Sequence, residues 1–337
     1  MQILENVPIS KLTTMRIGGR ARYVIYVKSE AEVEQAYLFA QVKRLPTFIL
    51  GSGANTIGHD EGFPGIIIIS EIAGIKKESQ PDGSTILRGG SGLIWDDFVA
   101  SACAMNLTGI EALSAIPGKV GAAPIQNIGA YGQELANVFA EVKAYDTKSH
   151  KMVILRKEDV NFAYRQSIFN TTEQQRYFIT EVAVQLQPGH LTPPFYPSLQ
   201  AYLDERDITD YSPMQIRDAV SAVRAAKLPD PKVIPSSGSF FKNICLTPAE
   251  ILKAEQKNIP VWNRKINTGW LIEHCNLKGK VLHGMRISNK AALILINDSA
   301  SGYDDLAAAR AEIQKTVKQK FGYDIEQEPV EIPPLAI

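Results

Sequence analysis

The chain has 337 residues, with 36 Lys+Arg against 36 Asp+Glu and a formal net charge of zero. At about 150 residues per domain this length predicts about two domains. A hydrophobic share of 45% supplies a core and excludes a collagen-like or broadly disordered chain. The neutral balance argues against non-specific nucleic-acid binding, which needs a basic surface to neutralise phosphates, but leaves room for a local cationic pocket.

Cys103, Cys245 and Cys275 lie far apart and form no CxxC pair, which suits a reducing compartment and gives neither a disulfide framework nor a zinc site. No apolar run approaches the ~20 residues of a membrane span. The N-terminus MQILENVPISK lacks the basic and apolar regions of a signal peptide. A cytoplasmic, monomeric protein with no membrane or nucleic-acid partner is expected.

In chain order, Arg22 to Val27 predicts a strand. Ser29 with Glu32 three residues on predicts a capping box, and Val33, Ala36, Tyr37 and Ala40 then keep helical spacing. Thr47 to Leu50 predicts a short strand running into Gly51-Ser52-Gly53-Ala54-Asn55. Ile66 to Ile69, four β-branched residues, predicts a strand buried on both faces. Strands are expected at Thr85 to Arg88, Val138 to Tyr145 and Phe178 to Leu186, and a helix from Ile94 to Met105. Five prolines in 187–214 predict an excursion between units. Helices are then expected near Pro213 to Ala226, from Thr247-Pro248-Ala249-Glu250 onward, and over Asp304 to Lys320, with a strand at Ala292 to Ile296. This is an α+β pattern in two or three units.

Several segments suit chemistry. Glycines in the Gly51 to Asn55 loop let backbone approach a ligand, and successive N–H groups can cradle a phosphate. The loop is neither GxGxxG nor a P-loop, so an ordinary turn is the competing reading. Ala115 to Gly132 is poor in charge and carries Gly118, Gly121, Gly129 and Gly132. Such a surface suits a ligand lying flat on backbone, whereas Ile116, Val120, Ile125 and Ile128 argue against a solvated linker. Arg165 in FAYRQSIF is either a snorkelling stem or a buried cation awaiting an anion. Ser239 in GSFFKN has no triad context and by itself reads as a turn residue. Glu326, Glu328 and Glu331 read as a solvated acidic tail. His59, His150, His190, His274 and His283 make no metal-ligand spacing, and no metal is expected.

Taken together and in order, TMRIGG, the Gly51 loop, IPGKVGAAPIQNIGAYG, FAYRQSIF, KLPDPKV, GSFFKN, GWLIEHCNLKGK and IEQEPV resemble the UDP-N-acetylenolpyruvoylglucosamine reductases, the MurB family, over nearly the whole chain. Phe195-Tyr196-Pro197-Ser198-Leu199 looks like the loop of the tyrosine-loop type. The resemblance implies a vanillyl-alcohol-oxidase/PCMH-type FAD-binding fold with a separate α+β substrate-binding domain. It implies FAD-binding subdomains at 1–72 and 73–219, leaving open whether 330–337 joins the second, and a substrate domain at 220–329.

The implied activity is NADPH-dependent, FAD-mediated reduction of a UDP-enolpyruvyl sugar in peptidoglycan synthesis. The implied FAD contacts are Gly51, Ser52, Gly53, Ala54, Asn55, Ile116, Pro117, Gly118, Gly121, Ala122, Gln126, Ile128 and Arg224. The implied substrate contacts are Tyr196, Lys227 and Asn243, and the implied catalytic groups are Ser239, Arg165 and Glu328. Two departures stand out: Ala54 occupies a position commonly serine, and Ala291 one that is usually polar near the substrate. An FAD-dependent oxidase of an alcohol or lactone would share the FAD loops but not GSFFKN or KLPDPK. A non-enzymatic nucleotide-binding protein would be colourless.

Overall fold

The computed structural model describes residues 1–332. The chain divides into two units. The first takes Met1–Asn6, Ala21–Ser52 and Pro64–Ala226; the second takes Val7–Arg20, Gly53–Phe63 and the described residues from Lys227 onward. Val7–Arg20 and Gly53–Phe63, which a linear reading places within 1–72, thus fold with the C-terminal third. The expectation for residues 333–337 lies outside the described residues.

In the first unit, strand Thr47–Leu50 runs parallel to Phe63–Ser70, with Leu50 opposite Ile69. Ile66, Ile67, Ile68 and Ile69 are all buried, as the β-branched run predicts. Helix Glu30–Lys43 covers this sheet with Val33, Ala36, Tyr37 and Ala40. Its Ser29 hydroxyl accepts from the Glu32 N–H, but the Glu32 carboxylate accepts from the N–H of Lys28 rather than of Ser29, so the box is half formed.

A second, antiparallel sheet carries Phe139–Asp146 between Lys151–Arg156 and Tyr177–Pro188, the latter pairing onward with Thr85–Gly90 and then Ile75–Ser79. Helix Trp95–Ala104 buries Trp95, Phe98, Val99 and Ala102 in the core of this sheet. The proline-rich excursion is only partly irregular. Pro197 opens a helix, Pro197–Asp204, at the position where its missing N–H costs nothing. Leu199 and Leu203 pack there on Ile216, Ala219 and Val220 of helix Pro213–Lys227.

In the second unit, strand Ser236–Ser239 pairs antiparallel with Ile294–Asn297, which pairs with Met285–Ile287. Helix Tyr303–Phe321 lays Leu306, Ala309, Ile313 and Val317 into this core at helical spacing. Asp304 and Asp305 sit in its first turn and Lys318 and Lys320 in its last, matching the helix dipole; it stops at Gly322, whose φ of 83° is left-handed. Thr56–Gly58 runs parallel to Val330–Ile332, joining a stretch near the glycine loop to the end of the chain. Among the described residues, no helix is long and apolar enough to cross a membrane.

Candidate active site

Gly51 stands at the carboxyl end of strand Thr47–Leu50, where the chain leaves the sheet. A cavity opens there between Gly51, Ser70, Ser91, Lys119, Gly121 and Ala122, with Ile125 and Phe178 among its apolar walls. Carboxyl ends of adjacent parallel strands are where open α/β sheets take ligands. The Ser70 and Ser91 hydroxyls share a 2.6 Å hydrogen bond, and Lys119 Nζ donates to the Ser70 carbonyl at 2.6 Å. Burial pulls the Lys119 ammonium below its ordinary pKa, and Glu71 partly offsets this.

Three of the FAD contacts implied by the resemblance, Gly51, Gly121 and Ala122, line this cavity. A Cβ on Gly51 would sit 3.1 Å from that of Ala122, and one on Gly121 would sit 2.5 Å from Ser91 Cβ. Both glycines therefore leave bare backbone where side chains would fill the space. Gly53 is tighter still: with φ of 69°, its Cβ would lie 1.9 Å from the Leu12 carbonyl oxygen. Its own carbonyl accepts from Thr14 N at 3.1 Å and Thr14 Oγ1 at 3.4 Å. Ser52 is exposed and Ala54 half-buried, and the Asn55 carbonyl accepts from Val330 N at 2.9 Å. The loop's second half is thus pinned by TMRIGG on one side and by the C-terminal strand on the other.

Ala115 to Gly132 is a folded segment rather than a linker. Trp95 N donates to the Gly118 carbonyl, Val120 N to Leu93 and Gly121 N to Ser91. Pro117 is exposed, whereas Ile116, Gln126 and Ile128 are half-buried. Its organiser is Asn127, 1% exposed, which sequence reasoning did not single out. Its amide nitrogen donates to Glu134 at 2.9 Å and to the Ala163 carbonyl at 3.1 Å, and its oxygen accepts from Ala136 N at 2.9 Å.

That bond to Ala163 ties the segment to the turn bearing Arg165. Ala163 and Gln166 exchange both backbone hydrogen bonds, so Tyr164 and Arg165 form the tip of a tight turn, and Arg165 adopts φ of 56°. Asn170 Nδ2 donates to the Arg165 carbonyl, and Ser167 Oγ to the Ile125 carbonyl at 2.8 Å. The Arg165 guanidinium is half-buried, donates to the Gly129 carbonyl at 3.2 Å and lies against the Tyr164 ring. The guanidinium is thus held, half-buried, against the glycine-rich backbone. Arg224 Nε donates to the Ala115 carbonyl at 3.3 Å. Burial lowers its pKa, Tyr131 and Asp96 oppose this, and Arg165 lowers it further. Two guanidinium groups thus donate to carbonyls of one glycine-rich stretch, the kind of cationic pair that can recognise an anion. Tyr196 is 41% exposed and sets its ring edge-on to Tyr131, centroids 5.6 Å apart.

In the second unit, Ser239 pairs with Ile294 and Ser236 with Ile296, so the first strand carries one extra residue. This bulge, with Gly238 at φ of 72°, leaves Ser239 exposed, although Ser236, Ser237, Phe240 and Phe241 are buried. The Glu326–Glu328 stretch runs beside the same strand: Lys242 N donates to the Glu326 carbonyl and Glu328 N to the Phe240 carbonyl, both at 2.9 Å. Glu328 is therefore brought alongside the residue that follows Ser239. Asn243 Oδ1 accepts from Thr268 N at 3.1 Å, and Lys227 is exposed at the end of its helix.

The acidic-tail expectation needs correction. Only Glu326 is largely exposed; Glu328 is half-buried, and Glu331 is enclosed by Arg310, His59, Tyr303 and Gln327. The sequence hides this because His59, Tyr303 and Arg310 come from other stretches of the chain.

A family model described as UDP-N-acetylenolpyruvoylglucosamine reductase, C-terminal domain, matches residues 230–332, and one described as FAD binding domain matches residues 21–152. The UDP-N-acetylenolpyruvoylglucosamine reductase of Ralstonia nicotianae is 36% identical over 335 residues, covering 96% of this chain and 98% of the relative. That of Neisseria gonorrhoeae is 34% identical over 333 residues, covering 96% of each. The crystal structure of UDP-N-acetylenolpyruvylglucosamine reductase (MurB) from Thermus caldophilus shares the fold, with a TM-score of 0.68 and 22% identity over 99% of this chain and 100% of that one. The expected fold class, an α+β FAD-binding fold with a separate α+β domain, is the one found. With identity above one third along almost its whole length, the chain belongs to the UDP-N-acetylenolpyruvoylglucosamine reductase family.

Proposed function

We propose that this chain reduces the vinyl ether of UDP-N-acetylenolpyruvoylglucosamine to give UDP-N-acetylmuramate, with FAD bound and NADPH as reductant, in the cytoplasm. Family membership over the full length supports the reaction class. The observation that carries the chemistry is the exposed Ser239 on its bulge with Glu328 hydrogen-bonded beside the same strand. When bound, FAD supplies the hydride chemistry.

The chain's own residues then hold, orient and protonate. Gly51 to Asn55, Gly118, Gly121, Ala122 and the Ile116 to Ile128 stretch offer backbone to the dinucleotide, and Arg224 offers charge. Lys227, Asn243 and Tyr196 grip the UDP part of the substrate. Saturating the vinyl group builds negative charge on the carbon beside the carboxylate. Arg165 is a fixed donor for that charge, and preorganised donors act most strongly on charge that grows in the transition state. Glu328 helps only while it carries or shares a proton, since a bare carboxylate would repel the carbanion. Ser239 delivers its hydroxyl proton to that carbon. A hydroxyl is a weak acid, but the carbanion is a strong base.

The test separates the two half-reactions. NADPH should bleach the bound flavin anaerobically, and the UDP-enolpyruvyl sugar should restore its colour. Ser239→Ala should keep FAD and reduction by NADPH but slow re-oxidation by about 10²–10⁴-fold, the usual share of positioned proton transfer. Re-oxidation at the wild-type rate would remove Ser239 as the acid.

A further inference from the structure

A second charged cluster lies in the C-terminal unit, and the proposed chemistry uses none of it. One oxygen of Glu331 meets His59 Nε2 and the Tyr303 hydroxyl, each at 2.9 Å. The other accepts from Arg310 at 2.6 Å and from Gln327 Nε2 at 3.1 Å. Arg310 also donates to Gln327 Oε1 at 2.6 Å, and the His59 ring stacks on Tyr303 with centroids 3.6 Å apart. Gln327 completes the cluster by donating to the Pro329 carbonyl at 2.8 Å.

The strand bearing Glu331 has three residues and pairs with a strand of three, so its ladder alone gives few bonds. Taking several charges partly out of water costs free energy, and apolar side chains would anchor such a strand at lower cost. What the cluster adds is directional restraint, and its position shows on what. Gln327 and Glu331 bracket Glu328, fixing the backbone on both sides, while Glu328 N is tied to Phe240 next to Ser239.

We propose that Glu331, held by Arg310, His59, Tyr303 and Gln327, is a positioning residue that sets the placement of Glu328 relative to the Ser239 strand. The inference rests on the reading of Glu328 as a group that acts on the substrate. A small displacement of a reacting group costs on the order of tenfold to a hundredfold in rate without loss of fold.

The experiment uses the holoenzyme in four forms: wild type, Glu331→Gln, Glu328→Gln and the double variant. Flavin content, flavin reduction by NADPH and re-oxidation by the UDP-enolpyruvyl sugar are measured separately. Glu331→Gln should keep its flavin and its reduction rate and lose about tenfold in re-oxidation. In the Glu328→Gln background the same change should cost almost nothing more, because its effect runs through Glu328. Tyr303→Phe, which removes one hydroxyl, should show the same selective loss to a smaller degree and serves if Glu331→Gln folds poorly. Additive losses in the double variant, or equal losses in both half-reactions, would overturn the proposal. Wild-type re-oxidation in Glu331→Gln with slow re-oxidation in Glu328→Gln would also overturn it while leaving the role of Glu328 intact. Wild-type re-oxidation in Glu328→Gln would remove the underlying reading instead.

Discussion

Gly53→Ala tests whether the glycine loop is shaped by close backbone approach. Two penalties apply. The first is conformational, since a φ of 69° costs a non-glycine residue about 1 kcal/mol. The second is steric: the new methyl would stand 1.9 Å from the Leu12 carbonyl oxygen and 2.7 Å from Thr13 Cα, both backbone atoms that cannot rotate away. The loop must retreat by more than an ångström, which breaks the bonds from Thr14 N and Thr14 Oγ1 to the Gly53 carbonyl. At about 1 kcal/mol for each hydrogen bond, the total reaches about 3 kcal/mol. Gly83→Ala is the matched control. Its φ is 83° and nothing lies within 4 Å of the added Cβ, so it carries the first penalty alone, about 1 kcal/mol. Urea unfolding of both proteins, with flavin absorbance per polypeptide read after purification, separates the two. Gly53→Ala should lose about 2 kcal/mol more than Gly83→Ala and most of its flavin, whereas Gly83→Ala keeps its flavin. Equal stability and full flavin content in both would refute the argument that bare backbone at Gly53 builds the loop.

Asn127→Ala deletes three hydrogen bonds from a side chain that is 1% exposed and should cost about 2–4 kcal/mol in thermal or urea unfolding; a loss under about 0.5 kcal/mol would show that Asn127 organises nothing. Cys103 is buried, and burial pushes its thiol up to about 12, so a thiol reagent at neutral pH should modify the exposed Cys245 first and Cys103 only on unfolding. Rapid labelling of Cys103 in the folded protein, read by peptide mass, would contradict this. For Glu331, burial pushes the pKa up, but the hydrogen bonds from His59, Arg310, Tyr303 and Gln327 outweigh it and hold the carboxyl down to about 2 against an ordinary 4.5. A folded value below the unfolded one means stabilisation that is complete above about pH 4.5 and lost as the pH falls toward 2. The full shift would be about 3 kcal/mol, which water at the partly exposed side chain reduces to about 1–2. The stability gap between wild type and Glu331→Gln should therefore narrow by about 1 kcal/mol from pH 7 to pH 3 in urea titrations; a constant gap would mean that Glu331 is not held as an anion.

What the sequence discloses about this fold follows from how far each signal reaches. Helix Tyr303–Phe321 is legible because Leu306, Ala309, Ile313 and Val317 repeat at helical spacing and Gly322 ends the repeat. The buried strand at Ile66 to Ile69 is legible from β-branching alone. Helix Pro197–Asp204 is not, because proline density reads as a linker until Pro197 is recognised at a first helical turn. Two-residue strands such as Ile244–Cys245 and Lys265–Ile266 are too short to show a period. The candidate site divides in the same way. Gly51 and Gly53 stand in an unusual local pattern. Ser239 reads locally as a turn residue and Arg165 as a snorkelling stem or a buried cation, so only the family resemblance singles them out. The structure places the glycines at a bare close approach, Ser239 on a bulge and Arg165 at a left-handed turn tip. Asn127 and Glu331 stand in ordinary patterns. One joins Glu134 to Ala163 and the other joins His59 to Arg310. Their surroundings are set by the parallel pairing of Thr56–Gly58 with Val330–Ile332 and by the docking of the Arg165 turn on Ile125. The glycines leave a local trace in the sequence because a bare close approach needs that residue type. Asn127 and Glu331 leave none, because their main partners are brought to them by topology.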